Sequence, residues 1–220
     1  MPDLKLVIFD VDGTLVDSQS EIISAMRVAF SQINFETPSR DDILSSVGLS
    51  LPDAFVKLLP DADPATRQQA VDAYKQGYHD NRVKGARPEL YDGIASLLDR
   101  LETDPDVLLG LATGKSRRGL DALLGHFGWA KRFVTTQVSD DHPSKPHPSM
   151  ILSAMADVGV DPCDAVMIGD TSYDIDMAQA AGVHSIGVSW GYHPGQHLQH
   201  AAAVVSDTEA LYAAIKRMIG

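Results

Sequence analysis

Leu4-Lys5-Leu6-Val7-Ile8-Phe9-Asp10-Val11-Asp12-Gly13 is the stretch that decides the fold. Residues 4–9 are apolar apart from Lys5, without the alternation of a half-solvated strand. That is the pattern of a strand buried on both faces of a parallel sheet, and it stops at an Asp-x-Asp-Gly turn. Four similar runs come only much later, at 107–112, 133–137, 165–168 and 184–188. Helical stretches at 93–101, 120–127, 149–158 and 175–181 separate them. This alternation predicts an α/β fold, a doubly wound, Rossmann-like parallel sheet with right-handed crossovers. A strand at 203–205 and a helix over about 207–219 are expected to close it.

Residues 17–84 break the alternation and hold no strand-like run. Ser18-Gln19-Ser20-Glu21 reads as a capping box, followed by Ile22, Met26, Ala29, Phe30 and Ile33 at helical spacing. Asp63-Pro64 reads as N-cap and first helical residue of a second long helix carrying Val71, Tyr74, Tyr78 and Arg82. The expected organisation is a core of 1–16 and 85–220 with a helical insertion at 17–84. The insertion follows the first strand, at the edge where open parallel sheets bind ligands, and is placed to act as a lid.

With 220 residues, 44% hydrophobic and 22% charged, the chain can bury a real core. A formal charge of −12 repels phosphate backbones and anionic lipid, arguing against nucleic-acid and membrane-surface roles. Cys163 is the single cysteine, which excludes an internal disulfide and fits a reducing compartment; we expect it small and half-buried. With no secretory signal pattern and no apolar run of membrane-spanning length, a cytoplasmic protein is expected. Oligomeric state, monomer or dimer, is not legible.

Four polar clusters each follow a strand: Asp10 with Asp12, Thr113-Gly114-Lys115, Lys145, and Gly169-Asp170 with Asp174. All four are expected at one sheet edge. Asp10 and Asp12, two apart, would share a side and repel unless a cation or proton separates them. With Asp170 and Asp174 they suit a hard divalent cation, Mg²⁺ above all; one cysteine rules out thiolate clusters. Gly13 permits a sharp turn, Thr14 offers a hydroxyl and an amide, and both are expected to bind the substrate's phosphoryl group. Thr113, the Gly114 amide and Lys145 supply the donors and positive charge that phosphoryl oxygens need.

The ordered set Asp10-Val11-Asp12-Gly13-Thr14-Leu15-Val16-Asp17-Ser18, Ala112-Thr113-Gly114-Lys115, Lys145-Pro146-His147-Pro148 and Gly169-Asp170-Thr171-Ser172-Tyr173-Asp174 resembles the haloacid dehalogenase superfamily, and within it the phosphatases with a helical cap after the first strand. Gly48-Leu49-Ser50 and Trp190-Gly191-Tyr192-His193 resemble its phosphoglycolate phosphatase-like group. The resemblance implies that Asp10 is the nucleophile, forming an aspartyl-phosphate. It implies that Asp12 is the acid and base, kept protonated for the first step by acidic neighbours. Mg²⁺ would be held by Asp10, the Asp12 backbone carbonyl and Asp170, with Asp174 in support. Thr113 and Lys145 would hold the phosphoryl oxygens of a small phosphorylated metabolite, phosphoglycolate first.

Other readings are weaker. Gly110-Leu111-Ala112-Thr113-Gly114-Lys115-Ser116 falls short of a P-loop, because three residues separate its glycines where four are required. A phospho-accepting receiver module would carry its acceptor after a middle strand and no insertion. Within the superfamily, Asp12 argues against a dehalogenase and Thr14 against a β-phosphoglucomutase-like sugar phosphomutase; a pyrophosphatase stays open. His193, His197 and His200 have helical spacing, but Pro194-Gly195 interrupts it, so a loop is expected rather than a metal site. Arg27, Lys57, Lys75, Arg82 and Lys84 are read mostly as solvated face, one or two of them meeting a remote anionic end of the substrate.

Overall fold

The computed structural model describes residues 4–220. The core boundary read at residue 1 therefore begins outside the described residues. In chain order the elements are β1 (Lys5–Phe9), β2 (Val16–Asp17), α1 (Gln19–Gln32), α2 (Arg40–Ser45), α3 (Leu51–Leu58), α4 (Pro64–Val83), β3 (Glu89–Leu90), α5 (Ile94–Leu101), β4 (Val107–Thr113), α6 (Arg117–Phe127), β5 (Thr135–Val138), α7 (Ser149–Val158), β6 (Ala165–Gly169), α8 (Ser172–Ala181), β7 (His184–Val188), β8 (Ala203–Val205) and α9 (Thr208–Ile219).

Six strands make one parallel sheet in the order β5-β4-β1-β6-β7-β8. The chain steps from β1 to β4 and β5 on one side, then returns to place β6 on the other. The topological switch point thus lies beside β1, where open α/β sheets hold their ligands. Leu6, Val7, Ile8 and Phe9 are fully buried because both faces of β1 are covered. Val7 and Phe9 join the α5 and α9 side with Leu98, Leu211 and Ile215. Leu6 and Ile8 join the α7 and α8 side with Met150, Met155 and Met177.

Helices α1–α4 have an apolar centre of their own, built by Ile22, Met26, Phe30, Ile43, Phe55 and Val71. Phe55 links Phe30 and Tyr74 at ring-centroid distances of 6.0 and 6.3 Å. Helix α4 starts as its sequence dictates, with Asp63 accepting from the amides of Ala65 and Thr66 ahead of Pro64. A feature not read from the sequence is the antiparallel pair β2–β3. It clips together the two segments through which the chain leaves and rejoins the sheet.

Three local expectations are corrected. The Ser18 capping box does not form: Ser18 Oγ is hydrogen-bonded to Asp12 instead, and α1 has no side-chain cap. Strand β5 begins at Thr135, because Phe133 turns inward against Trp129 with ring centroids 5.9 Å apart. Cys163 is exposed, in the 3-10 turn Pro162–Asp164.

Candidate active site

The register of the sheet brings the polar clusters together. Phe9, the last residue of β1, pairs with Leu111 of β4 and Ile168 of β6. The Asp10 amide then donates to the Ile168 carbonyl at 2.9 Å, so Asp10 sits between Thr113 and Asp170 at the two neighbouring strand ends. Asp10, Thr113, Lys145, Asp170 and Asp174 are each no more than 1% exposed, and Asp12 is 8% exposed.

Asp10, Asp170 and Asp174 each offer a carboxylate oxygen within 4.8 Å of the others. Lys145 Nζ joins them, 2.6 Å from Asp174 Oδ1 and 3.0 Å from Asp10 Oδ1. Asp170 accepts from Thr14 Oγ1 (3.0 Å) and the Tyr192 amide (2.8 Å); Asp174 Oδ2 accepts from the amide and hydroxyl of Thr171. Neither oxygen of Asp10 receives an aligned hydrogen bond, although both are buried. Burial, with Asp174 and Asp12 adding to it, pushes the Asp10 carboxyl up to about 7 against the partial offset from Lys145. Burial likewise raises Asp170 well above the carboxylate range, with Asp174 and Asp10 reinforcing it. Burial would depress Lys145, but Asp10 and Asp174 outweigh it and hold the ammonium charged. Three buried carboxylates against one ammonium form an oxygen-donor set that fits a hard divalent cation.

The Asp12 carboxylate lies outside this cluster. The chain leaves the strand at Phe9, so the two-residue periodicity that would place Asp10 and Asp12 on one side no longer applies. Asp12 faces Lys115, whose Nζ is 2.8 Å from Asp12 Oδ1, and it also holds the Ser18 hydroxyl. A cation therefore lies against Asp12, alongside its acidic neighbours Asp10 and Glu21. Lys115 reaches the Tyr78 hydroxyl at 3.4 Å as well; Asp12 and Tyr78 raise its pKa against the opposing effect of burial.

Thr14 is also corrected. Its side chain is fully buried and its hydroxyl holds Asp170, so it orients an acid rather than meeting a phosphoryl oxygen. Gly13 has φ 86°, and a Cβ there would run into the Asp170 carboxylate. Thr113 and Gly114 do face the cavity, beside Asp10 and Asp12. Thr113 Oγ1 also accepts from the Lys115 amide at 3.2 Å.

That cavity, about 600 Å³, lies between α1–α4 and the strand-end loops. The segment between α2 and α3 closes one side. A Cβ on Gly114 would come within 2.5 Å of the Leu49 carbonyl oxygen, and the Ser50 amide donates to Ser144 Oγ at 2.8 Å. His193 Nδ1 accepts from the Ser172 amide (3.2 Å), so its Nε2–H is free to donate to the Ser45 carbonyl (3.3 Å). His193 is thus a packed loop residue, as Pro194-Gly195 suggested. Trp190 donates to the Thr14 carbonyl, and the Tyr192 hydroxyl accepts from the Ser18 amide. The sequence marked this loop only by its texture; its supporting contacts are all long-range. The Asp12 side of Lys115 was missed for the same reason, and Ser18 because its bond to Asp12 follows no local capping pattern.

Residues 7–188 match the profile of a family described as haloacid dehalogenase-like hydrolase, and the chain belongs to that family, as a phosphatase. It is 36% identical over 209 residues to the Dickeya dadantii protein named Probable phosphatase IndB, covering 92% of this chain and 89% of the relative. It is 32% identical to tyrosine-protein kinase PtkA of Mycobacterium tuberculosis (98% and 72% covered) and 29% identical to a phosphoglycolate phosphatase of Psychrobacter arcticus (90% and 88%). A crystal structure described as a predicted phosphatase from Clostridium acetobutylicum superposes with a TM-score of 0.87 at 28% identity, covering 97% of this chain and 99% of that one. Among the described residues, no helix is long and apolar enough to cross a membrane.

Proposed function

We propose that this phosphatase hydrolyses the monoester of a small phosphorylated metabolite through an aspartyl-phosphate on Asp10, with phosphoglycolate the first substrate to try. The observation that carries this is the buried Asp10 carboxylate, paired with Lys145 and lining a cavity it shares with Asp12, Thr113 and Gly114. Asp10, Asp170, Asp174 and the Asp12 backbone carbonyl would hold Mg²⁺, which when bound supplies positive charge against the phosphoryl oxygens.

Asp10 attacks phosphorus, and the bond to the ester oxygen breaks. Asp12 delivers a proton to that departing oxygen, then takes one from the water that attacks the aspartyl-phosphate, releasing inorganic phosphate and restoring Asp10. Thr113 and the Gly114 amide orient the phosphoryl oxygens. Lys145 holds Asp10 and offsets charge in the cluster. Residues 17–84 act as a cap that selects the substrate and excludes bulk water, in the cytoplasm where a lone exposed cysteine stays reduced.

The test is a panel of phosphate esters, phosphoglycolate and sugar phosphates among them, and pyrophosphate, assayed with Mg²⁺ for released phosphate. Hydrolysis of at least one ester, lost in Asp10→Asn, supports the reading. Absence of hydrolysis across the panel and on nitrophenyl phosphate overturns it.

A further inference from the structure

We propose that His79 and Arg82 of α4, with Arg118 of α6, form a second anion-binding point in the cleft, which takes a carboxylate or phosphate at the end of the substrate remote from the scissile group. This rests on the phosphatase reading and deepens it by naming the residues that take the far anionic end and a substrate longer than the two-carbon phosphoglycolate.

The three residues line the cavity that also reaches Asp10 and Asp12. They line a second hollow too, about 340 Å³, bounded otherwise by Val83, Arg87 and Ala122. No carboxylate lines that second hollow. In a chain with 30 acidic residues against 18 Lys and Arg, a pocket without one acid and with three arginines is far from the average surface.

Arg87 is answered by the carbonyls of Arg82 and Ala86, whereas among the described residues Arg82 and Arg118 meet no acid. Among the described residues neither Arg82 nor Arg118 is in an ion pair, and the side-chain partner of Arg118 is His79 Nδ1, at 3.0 Å. Arg118 also occupies the first turn of α6, where the helix dipole disfavours a cation. Its neighbour Arg117 is answered there by Thr136, Asp121 and Asp141, whereas Arg118 is not. Two guanidiniums facing one space suit the bidentate recognition of a carboxylate or phosphate.

Size points the same way. A cavity of about 600 Å³ is of the kind that encloses a ligand of drug size, and a two-carbon phosphate leaves most of it empty. A longer substrate could hold its phosphoryl group at Asp10 and its other end at Arg82 and Arg118. Because Arg82 belongs to the helical insertion and Arg118 to the sheet domain, an anion shared by both also favours the closed arrangement of the two.

The experiment compares two matched series of alkyl phosphates of increasing chain length, one ending in a hydroxyl and one in a carboxylate. The kcat/KM ratio of the pair, carboxylate over hydroxyl, is measured at each length. At the length that spans the cleft the ratio is expected to exceed about tenfold, the worth of one charge-assisted contact. It should collapse toward one in Arg82→Ala/Arg118→Ala, chiefly through KM, and partly recover in the double Lys variant. The same pairs are titrated calorimetrically into Asp10→Asn, so that the ratio is also read without turnover. If no ester is hydrolysed but binding keeps the carboxylate preference, the phosphatase reading fails and the second anion point stands. A ratio flat with chain length, or one untouched by the double substitution, overturns the proposal. So does acceleration of the hydroxyl series by free sulfate without any chain-length optimum, which assigns the arginines to a separate anion.

Discussion

Lys115 Nζ lies 2.8 Å from Asp12 Oδ1, with both side chains nearly buried, so the proposed acid and base is held by a cation from the next strand end. The same ammonium stands 5.4 Å from the centre of the Tyr78 ring on α4, joining Asp12 to the helical insertion. Lys115→Met leaves the enclosed Asp12 side chain with the Ser18 hydroxyl as its remaining hydrogen-bond partner. The expected loss of stability is about 3–5 kcal/mol, as for other buried pairs broken from one side. Adding Asp12→Asn should restore part of it, and a double-mutant cycle by urea denaturation measures the coupling. Strict additivity of the two changes would show that the pair has no energetic role.

Asp12→Asn should separate esters by leaving group. An alkoxide needs a proton as it departs and nitrophenolate scarcely does, so turnover of alkyl phosphates should fall by about 10²–10⁴ and that of nitrophenyl phosphate by much less. Equal losses on both would remove Asp12 from the acid role.

Asp10→Asn should abolish turnover, since an amide is a poor nucleophile and a poor cation ligand. Its effect on the metal-free fold should be the opposite. The folded Asp10 carboxyl lies at about 7, above its ordinary 3.8, so the folded chain holds that proton more tightly than the unfolded chain does. The resulting stability is present below about 4 and is lost as pH rises through 7. In chelator, wild type should therefore lose on the order of 2–4 kcal/mol relative to Asp10→Asn between those limits. Parallel stability profiles for the two proteins would contradict an Asp10 carboxyl held up chiefly by burial.

The legibility of the sequence followed the range of the interactions. Strand β1 and the order of the polar clusters could be read because a buried parallel strand has one pattern and its end one edge. The fates of Thr14 and Ser18 could not. Thr14 finds Asp170, 156 positions away, and the Ser18 hydroxyl finds Asp12 rather than its own helix. Donation to a buried carboxylate fixes where the Ser18 hydroxyl points, and held there it accepts no amide of its own helix. The β2–β3 clip was missed because two strands of two residues carry no periodicity. The remote basic cluster needed the fold to bring Arg118 to His79, since Arg82 alone reads as a surface charge.

Adding Mg²⁺ to the chelated protein should raise its melting temperature. A cation that binds only the folded state stabilises it by about 2.7 kcal/mol at a hundredfold excess over its dissociation constant, which is several degrees for a chain of this size. Asp170→Asn should diminish the rise, and so should Asp174→Asn. A melting temperature indifferent to Mg²⁺ would argue against cation binding by the three acids.

Gly114 offers the most local test of closure. Its Cβ would meet two backbone oxygens of the α2–α3 segment, Leu49 at 2.5 Å and Gly48 at 2.8 Å, and a backbone cannot rotate aside as a side chain can. Gly114 lacks positive φ, so alanine is compatible with the strand-end conformation itself. Gly114→Ala should therefore leave the sheet folded while pushing the helical insertion off the Thr113 loop. We expect faster limited proteolysis within residues 46–50 and a decrease of about 10–100-fold in kcat/KM on the preferred ester, as for misplacement by about an ångström. Circular dichroism should keep its native shape. Unaltered proteolysis together with unaltered kinetics would mean that the 46–50 segment tolerates the added methyl, and that its contact with Gly114 does not hold the site closed.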